Sequence, residues 1–383
     1  MQTTTITETT PTWTDTDRRM MTRALELAAK GIGQVSPGPL VGCVVVSPAG
    51  EIVGEGFYIF EELKHAETIA LEIAGEKARG GTAYVSLEPH AHHGRTPPCT
   101  DALISAGIKR VVAPIKDLNP KVSGKGFAHL RAAGIAVETG LMREEAEQIN
   151  EAYLHYMSTG MPFVHLKLAV SLDGKIATRT RDSQWITGPE SRARAQQLRH
   201  DYDAILVGAG TAETDDPQLS DRSGLPRRRP LVRVVLDDEV RLSPESQLAA
   251  TTAKAPVIVF GNERANHADV LRAQGVEIVN STRGDLPRVL RQLGSRSIQS
   301  LLVEGGSTVA GEFIDAGLVN KVTFLIAPKI IGGVTAPSAI GGSGVAMMSE
   351  ALDLERVTMI KRGNDIEVTG YPSTAKGIPP DEG

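Results

Sequence analysis

The stretch SLLVEGGSTVAGEFIDA, residues 300–316, predicts a strand, a tight turn and a helix in succession. The apolar run at 300–303 is short and is followed by glycines, which favours a buried strand over a helix. Gly305 and Gly306 mark the turn, and the helix is predicted over 311–316. Glycines between a strand and a helix let backbone amides approach a phosphate. Many α/β domains contain one such turn, so this feature alone is weak evidence for a nucleotide site.

The same alternation of strand and helix extends on both sides of this stretch. Six further strands are predicted at 164–170, 204–207, 231–236, 256–260, 276–279 and 321–326. Helices are predicted between many of them, at 189–200, 268–274 and 286–293. Short apolar strands that alternate with helices indicate a central sheet covered by helices. We therefore predict an α/β domain over residues 162–372.

A separate alternating series precedes a change in composition near residues 158–160. It begins with a helix that has a capping residue at Thr14 and a stop at Gly31. Strands are predicted at 41–46, 51–57, 83–87 and 110–114, helices at 65–74 and 98–106, and a loop at 124–126. We predict a second α/β domain over 16–158, a flexible segment over 1–15 and a mobile tail over 373–383.

The composition excludes several classes of protein. The chain has 383 residues, of which 41% are hydrophobic, and this suits two globular domains. A net charge of −5 and an aromatic content of 4% argue against nucleic-acid binding, which needs basic and stacking side chains. Cys43 and Cys99 cannot form a disulfide framework, and Cys43 is expected to be a buried structural thiol. No apolar run approaches the length of a membrane span, so we expect a cytoplasmic protein that acts on a small molecule.

Three short motifs in the first domain carry potential metal ligands. They are HAE (65–67), EPH (88–90) and PPC (97–99). Zinc deaminases combine a His-x-Glu triplet with a later Pro-Cys motif, and the glutamate transfers protons without binding the metal. His65, His90 and Cys99 are the candidate ligands here, Glu67 is the candidate catalytic carboxylate, and a helix N-terminus at Cys99 would favour the thiolate. The alternative is a cluster of ordinary solvated histidines.

The segment SLEPHAHHGRTPPC, residues 86–99, resembles the SLEPCSHHGRTPPC motif of the bifunctional riboflavin-biosynthesis deaminase/reductase family. The resemblance continues through SPGP (36–39), VGC (41–43), GEG (54–56) and HAE (65–67). It implies a cytidine-deaminase-like α/β/α domain that uses zinc to deaminate a phosphoribosylated diaminopyrimidinone. It also places His92 and Arg95 near the substrate phosphate, where a guanidinium suits an anion.

Three positions depart from the family pattern. His90 stands where the family has a zinc-ligating cysteine, Gly38 where its SPNP motif has asparagine, and Tyr58 where a histidine is usual. Imidazole is a standard zinc ligand, but replacing a thiolate by it makes the site more positive. Three outcomes stay open: an active deaminase with two histidine ligands and one cysteine, a deaminase with a changed substrate preference, and an inactive domain kept for structure.

The second domain shows a longer set of matches to the same family. LKLAVSLDGK (166–175) is similar to the LKxAxSLDGK opening of the family's reductase domain, a relative of dihydrofolate reductase. The match continues in SQWIT (183–187), LR (198–199), DAILVGAGT (203–211), DDPQL (215–219), Arg222, VEGG (303–306) and PKIIGG (328–333). It implies a dihydrofolate-reductase-like α/β domain that uses NADPH to reduce a ribosyl group to ribityl. Glycine turns at 208–210 and 305–306 agree with a dinucleotide pocket.

This resemblance implies roles for particular residues of the second domain. The expected NADPH contacts are Ala169, Trp185, Thr211, Asp215, Gly306, Ser307, Thr308, Val309, Ala310, Gly311 and Glu312. The expected substrate contacts are Ser183, Arg199, Leu219, Arg222 and Glu304, with the two arginines on the phosphate. Lys167 and Asp215 are the candidates for protonating and orienting the sugar. Taken singly, Trp185 could be a core residue, Asp215 a cap and Arg199 a solvated helix residue.

Two charged features of the second domain need separate interpretation. Asp238 follows the predicted strand at 231–236, where the reductase family approaches the adenosine ribose. A carboxylate there would repel a 2′-phosphate, so we expect a weaker preference for NADPH over NADH than is usual. The basic run at 227–229 precedes Pro230 and is expected to be a solvated loop, although it could aid phosphate capture.

The leading hypothesis is an enzyme of riboflavin biosynthesis with deaminase and reductase halves. The nearest alternative is a reductase-only enzyme with a degenerate or re-purposed deaminase domain, and metal content and ammonia release separate the two. A nucleic-acid deaminase and a non-enzymatic sensor are further alternatives, which the acidic net charge and the complete reductase pattern disfavour. A closed homo-oligomer is the expected assembly, with no nucleic-acid or membrane partner.

Overall fold

The computed structural model describes residues 12–94, 97–282 and 284–373. The chain divides into two units, Met1–Ser158 and Thr159–Gly383. Residues 1–11 and 374–383, which make up most of the two predicted terminal segments, lie outside the described residues. Within the described part of the chain, no helix combines the length and the apolar character needed to cross a membrane.

A five-stranded mixed sheet, counted over the described residues, forms the centre of the first unit. Its strands are β1 (Gly42–Val46), β2 (Ile52–Phe57), β3 (Thr82–Val85), β4 (Arg110–Ala113) and β5 (Ala136–Thr139), in the order β2-β1-β3-β4-β5. β1 pairs antiparallel with β2 and β3, whereas β3, β4 and β5 are parallel. Every residue of β1 is buried, which is typical of a strand covered on both faces.

Helices cover both faces of this sheet. They are α1 (Asp15–Ala29), α2 (Ala66–Ala74), α3 (Cys99–Ser105), α4 (Lys125–Ala132), α5 (Arg143–Ile149) and α6 (Glu151–Thr159). Because strand residues alternate between faces, Val44 packs with Met21 of α1, while Cys43 packs with Ala70 of α2. Cys43 is therefore a core thiol, and the α/β/α class predicted for this half is confirmed. Thr14 caps α1 as predicted.

The loop predicted at 124–126 is the start of a helix. Gly124 has φ 82° and is the N-cap of α4. The buried Glu88 carboxylate accepts hydrogen bonds from the amides of Asp117, Gly124 and Phe127, at 3.1, 2.9 and 3.2 Å. A carboxylate that satisfies free amides at a helix start stabilises the helix, and glycine composition alone does not reveal it.

A nine-stranded sheet, counted over the described residues, organises the second unit. Its strands are β6 (Phe163–Ser171), β7 (Ala204–Gly208), β8 (Val232–Leu236), β9 (Val257–Gly261), β10 (Glu277–Asn280), β11 (Ser300–Val303), β12 (Lys321–Ala327), β13 (Leu354–Arg362) and β14 (Asp365–Pro372). Their order is β10-β9-β8-β7-β11-β6-β12-β14-β13. The strands from β10 to β12 in this order are parallel, and β14 and β13 are antiparallel. The parallel strands are those predicted from the sequence.

Helices of the second unit pack on this sheet. They are α7 (Pro189–Asp201), α8 (Ala209–Asp215), α9 (Gln247–Ala250), α10 (Ala268–Ala273), α11 (Leu286–Gly294) and α12 (Ser307–Asp315). In the larger core cluster, Leu290 of α11 and Phe313 of α12 pack with Leu166 of β6. The α/β class predicted for this half is confirmed.

The hairpin of β13 and β14 is absent from the sequence prediction. β13 is exposed along nearly its whole length. A strand without a buried face needs no alternation of apolar and polar residues, so hydrophobic periodicity does not identify β13. The buried positions of β14 include Asp365 and Glu367, so apolar alternation is missing there too.

Candidate active sites

His65, His90 and Cys99 converge in the first unit, with their ligand atoms within 4.8 Å of one another. His65 is the N-cap of α2, Cys99 is the first residue of α3, and His90 lies in the loop after β3. The Thr100 amide donates to the His90 carbonyl at 3.3 Å, which ties this loop to α3. Two imidazoles and a thiol at this separation suit a zinc site with three protein ligands.

The electrostatic environment keeps the two imidazoles neutral. Burial lowers the pKa of His65. Burial and the neighbouring imidazoles lower the pKa of His90 to about 4. Because a metal binds neutral imidazole, both rings are ready ligands. Burial and the Glu67 carboxylate raise the pKa of the Cys99 thiol. A backbone hydrogen bond at Cys99, in the first turn of α3, acts in the opposite direction, as expected at a helix N-terminus.

Glu67 lies in the first turn of α2 and is 2% exposed. Its Oε2 atom has no hydrogen-bond partner among the described residues. A buried carboxylate oxygen without a partner is costly unless a cation, a water or a substrate group satisfies it. This atom and the three convergent ligands fit a zinc ion with an adjacent general base.

His92 lies beside this cluster. Its ring is 5.1 Å from that of His90, edge-on, and its buried Nδ1 has no partner among the residues that the structure describes. Arg95, the second residue expected at the substrate phosphate, lies outside the described residues. The phosphate contacts of both residues therefore stay predictions.

A cavity of about 710 Å³ opens in the second unit, beside residues that follow β7 and β11. It brings together most of the side chains predicted for this domain, from five separate segments. The predicted residues that line it are Lys167, Ala169, Ser183, Trp185, Arg199, Thr211, Asp215, Leu219, Arg222, Glu304 and Gly306. Carboxyl ends of parallel strands meet at one sheet edge, which is why distant segments converge there.

A second cavity, of about 430 Å³, adjoins the first and shares Thr211 and Gly306 with it. Asp238, Glu239 and Arg241 are among the residues that line it. The predicted residues Thr308 and Val309 also line it. Two adjoining cavities along a glycine-rich sheet edge suit an extended dinucleotide. Glu239 and Arg241 were not predicted as site residues. The sequence could have indicated them, because both come just after a buried strand, where ligand sites of parallel sheets lie.

Glycine is required at the turns between these cavities. A Cβ at Gly208 or at Gly305 would stand 2.7 Å from the Val309 side chain, so either would push α12 away. These positions need glycine for the close approach of a helix to two strand ends, a reason additional to the phosphate approach that the sequence suggested.

Four predicted cofactor residues line neither cavity. They are Ser307, Ala310, Gly311 and Glu312. Ala310 is fully buried in the core, and a Cβ at Gly311 would stand 2.4 Å from the Gly341 carbonyl carbon. A helix presents only one face to a ligand, so the side chains of 306–312 cannot all reach the cavities, and the cofactor contacts of these four residues stay predictions.

Glu304 joins two cations at the base of the larger cavity. Arg199 donates from Nε to Oε1 at 2.9 Å and from Nη2 to Oε2 at 3.0 Å, and Lys167 donates to Oε2 at 3.3 Å. Burial alone would raise the pKa of Glu304, but the two cations lower it to about 2. Arg199 is therefore not a solvated helix residue, and its main partner is a carboxylate of the protein rather than a free phosphate site.

Trp185 is 64% exposed, so it is not a core residue. The Arg192 guanidinium lies 4.9 Å from its ring centroid, and Lys329 donates to its carbonyl at 2.8 Å. Arg192 also lines the cavity and was not predicted. Arg192 precedes Arg199 by seven residues on α7, which is two helical turns. Residues at that spacing share a helix face, so the sequence could have identified Arg192 as a neighbour of Arg199.

Two further alternatives are decided by local contacts. No side-chain hydrogen bond gives Asp215 a capping role among the described residues, whereas the neighbouring Asp216 accepts from the Gln247 amide, at the start of α9, at 2.8 Å. Burial raises the pKa of Asp215 in the cavity wall. The start of the basic run is not solvated, because Arg227 donates to the carbonyls of His200 and Tyr202 at 2.7 and 2.5 Å.

Comparison with known proteins identifies the family. The model of the RibD C-terminal domain matches residues 162–368, and that of the cytidine and deoxycytidylate deaminase zinc-binding region matches residues 14–114. A RibD of Bacillus amyloliquefaciens is 43% identical over 360 residues, covering 93% of this chain and 96% of its own. The chain belongs to the RibD family.

Solved RibD structures are similar to this chain over most of its length. That of Acinetobacter baumannii has a TM-score of 0.85 at 36% identity, covering 94% of this chain and 99% of its own. A Thermotoga maritima deaminase/reductase has a TM-score of 0.84 at 40% identity, covering 93% and 99%. As a RibD, the chain carries a zinc-dependent deaminase domain and an NADPH-dependent reductase domain of riboflavin biosynthesis. The bifunctional prediction is confirmed over the reductase-only alternative.

Proposed function

We propose that the first unit deaminates a phosphoribosylated diaminopyrimidinone, and that the second reduces the ribosyl group of the deaminated product to ribityl. The observation that carries this proposal is the convergence of His65, His90 and Cys99 beside the buried, unsatisfied oxygen of Glu67. The Thermotoga maritima relative is described as a diaminohydroxyphosphoribosylaminopyrimidine deaminase/5-amino-6-(5-phosphoribosylamino)uracil reductase, which supports these substrates.

In the deaminase half, His65, His90 and Cys99 would hold zinc. Zinc would supply a Lewis acid that acidifies the attacking water. Glu67 would accept a proton from that water through its unsatisfied oxygen and deliver it to the departing amine, so that ammonia leaves as the carbonyl forms. His92 and Arg95 would bind the substrate phosphate.

In the reductase half, NADPH would occupy the two adjoining cavities and supply the hydride. The residues we assign to cofactor contact are Ala169, Trp185, Thr211, Asp215, Gly306, Thr308 and Val309. The start of α12, at Ser307, presents backbone amides suited to a phosphate. The protein's main contribution would be to hold the nicotinamide close to the sugar carbon.

The substrate would lie between Lys167 and the rim of the larger cavity. Ser183 and Leu219 would contact it. The exposed Arg222 would bind most of its phosphate, because Glu304 already accepts hydrogen bonds from two donor atoms of Arg199. Lys167 and Asp215 would orient and protonate the sugar oxygen as the ring opens. The raised pKa of Asp215 favours retention of the proton that this step needs.

Ammonia release from the diaminopyrimidinone by zinc-supplemented protein tests the deaminase half. We expect release to fall at least about 100-fold in Glu67→Gln, since general acid–base catalysis contributes that much or more. Glu72→Gln changes an exposed carboxylate on the same helix and should retain activity. No release from wild-type protein that still oxidises NADPH with the deaminated intermediate would overturn this half of the proposal.

We also propose a cytoplasmic closed homo-oligomer, since most oligomeric enzymes are symmetric. The substrates are small soluble molecules, which supports the location. Light scattering of the purified protein at working concentration tests the assembly, and a monomeric mass would contradict it.

A further inference from the structure

The segment 216–218 lies between two residues assigned to the reductase site. Asp215, before it, is assigned to the cofactor and the sugar, and Leu219, after it, is assigned to the substrate. Asp216 and Leu219 have φ angles of 36° and 48°, in the left-handed region that residues other than glycine rarely adopt. Such a backbone is costly and persists only where the surrounding structure holds it. The segment therefore needs support from outside.

The start of α9 supports the segment on one side. The Gln247 backbone amide donates to Oδ1 of Asp216 at 2.8 Å, and the Gln247 side-chain amide donates to the Asp216 carbonyl. Gln247 is the first residue of α9, and the Ser246 hydroxyl caps that helix. Gln247 also lines the larger cavity, and it was not predicted from the sequence. A residue of a capped helix thus holds the residue directly after Asp215.

Arg233, a buried side chain of β8, supports the segment on the other side. Its Nη1 donates to the Gln218 carbonyl at 3.4 Å and to the Thr251 hydroxyl oxygen at 2.6 Å, and its Nη2 donates to the Thr251 carbonyl at 2.9 Å. The Thr251 hydroxyl donates in turn to the Gln247 carbonyl at 2.5 Å. These hydrogen bonds close into a ring, whose members are Asp216, Gln247, Thr251, Arg233 and Gln218.

We propose that Gln247 is a positioning residue of the reductase. Through the ring it fixes the backbone of residues 215–219, so that Asp215 and Leu219 keep the positions from which they contact the sugar. These positions matter for the rate, because a displacement of about 1 Å at a reacting group can slow catalysis about 100-fold. The inference rests on the proposed contacts of Asp215 and Leu219, and it adds a residue that sets the position of both.

Gln247→Ala tests this role, because it removes the side-chain bond to Asp216 while alanine suits a helix. We expect kcat with the deaminated intermediate to fall about 10-fold and the KM for that intermediate to rise about threefold. The KM for NADPH should change less than about twofold, since most of the assigned cofactor contacts come from other segments. Unchanged kcat and KM values would overturn the positioning role.

The two KM values separate positioning from a merely structural effect. A loss of folded enzyme would lower kcat and leave both KM values unchanged, and that result would also overturn the proposal. Gln274→Ala is the matched control. It removes a similar bond, from a glutamine side-chain amide to the Pro244 carbonyl at 3.1 Å, and Gln274 lines neither cavity. Its kinetic constants should match those of wild type.

The conservative change Asp216→Asn supplies a rescue test. Asparagine keeps an oxygen that accepts from the Gln247 amide, and it tolerates the left-handed region. We therefore expect kcat within about twofold of wild type in Asp216→Asn and a fall of about 10-fold in Asp216→Ala, which loses the acceptor. Equal kcat values in these two variants would contradict the contact between Asp216 and Gln247.

Hydrogen exchange of the Gln247 backbone amide tests the ring without any substrate. Asp216→Ala removes the acceptor of this amide, so its exchange should become about 10-fold faster, whereas Asp216→Asn should stay within about twofold of wild type. Equal exchange rates in wild type and Asp216→Ala would overturn the ring. Wild-type protein that does not oxidise NADPH with the deaminated intermediate would instead overturn the proposed substrate, so the two failures are distinguishable.

Discussion

Arg199 and Glu304 form a two-pronged ion pair at the base of the reductase cavity, with N–O distances of 2.9 and 3.0 Å. The planar guanidinium matches the carboxylate geometry, which makes such pairs stronger than single contacts. Lys167 joins the same carboxylate, and all three side chains are nearly buried. The pair therefore positions the candidate proton donor Lys167 before any substrate arrives.

Replacing Glu304 should destabilise the protein strongly. In Glu304→Gln, Arg199 and Lys167 become buried cations without a counter-charge, and breaking a buried pair costs about 3–5 kcal/mol. Urea denaturation at neutral pH measures the loss. Glu277→Gln, which removes a half-exposed partner of Arg296, should cost less than about 1 kcal/mol. Equal losses in the two variants would contradict a buried network.

The contribution of Glu304 should also depend on pH. Its pKa is lowered from 4.5 to about 2 in the folded protein, so the carboxylate stabilises the fold above pH 4.5. This stabilisation is roughly 3 kcal/mol, because each pKa unit is equivalent to about 1.4 kcal/mol. It is lost as the pH falls from 4.5 to 2. Urea denaturation across that window should show wild type and Glu304→Gln converging in free energy of unfolding. Parallel curves would contradict the assignment.

Asp238 should weaken discrimination between NADPH and NADH. Asp238 lines the second cavity together with Glu239. The Arg241 guanidinium in the same cavity lies 3.4 Å from the Glu213 carboxylate, so its charge is already partly balanced. Removing one carboxylate in Asp238→Asn should raise the ratio of kcat/KM for NADPH to that for NADH about 10-fold, equivalent to 1.4 kcal/mol. Asp269→Asn, on α10, is the control and should leave the ratio unchanged. A strong wild-type NADPH preference that Asp238→Asn does not increase would contradict the prediction.

Glu88 should act on the zinc site as a positioning residue. Its carboxylate accepts three backbone amides, and it lies two residues before the candidate ligand His90. In Glu88→Gln an NH₂ group faces amide donors, so we expect zinc affinity to fall about 10- to 100-fold, as for other groups that orient ligands.

Competition with a chromogenic chelator measures that zinc affinity. Glu144→Gln changes an exposed carboxylate of α5 and is the matched control. NADPH oxidation should be unaffected in Glu88→Gln, because the reductase cavity lies in the other unit. Wild-type zinc affinity in Glu88→Gln would show that the loop holds His90 without this carboxylate.

Local signals in the sequence account for the α/β class, the parallel strands of the second domain and the candidate metal ligands, whereas the parallel strand β5 of the first domain was not predicted. Strand runs, glycine turns and the cap at Thr14 act over a few residues, so their pattern survives in the linear chain. The residue types in the short motifs around His65, His90 and Cys99 match a zinc-deaminase pattern, which is why the sequence indicated a shared site. Glycine turns after β7 and β11 likewise indicated the nucleotide cavities.

Other features depend on residues far apart in the chain. The partner of Arg199 lies 105 residues away, and α4 starts where it does because of a carboxylate 36 residues earlier. Hydrophobic periodicity carries no information about such pairs, since either partner is an ordinary charged residue in its own segment. The contact between Gly38 and Tyr58 is of the same kind, because the two residues belong to separate loops and meet only in the folded chain.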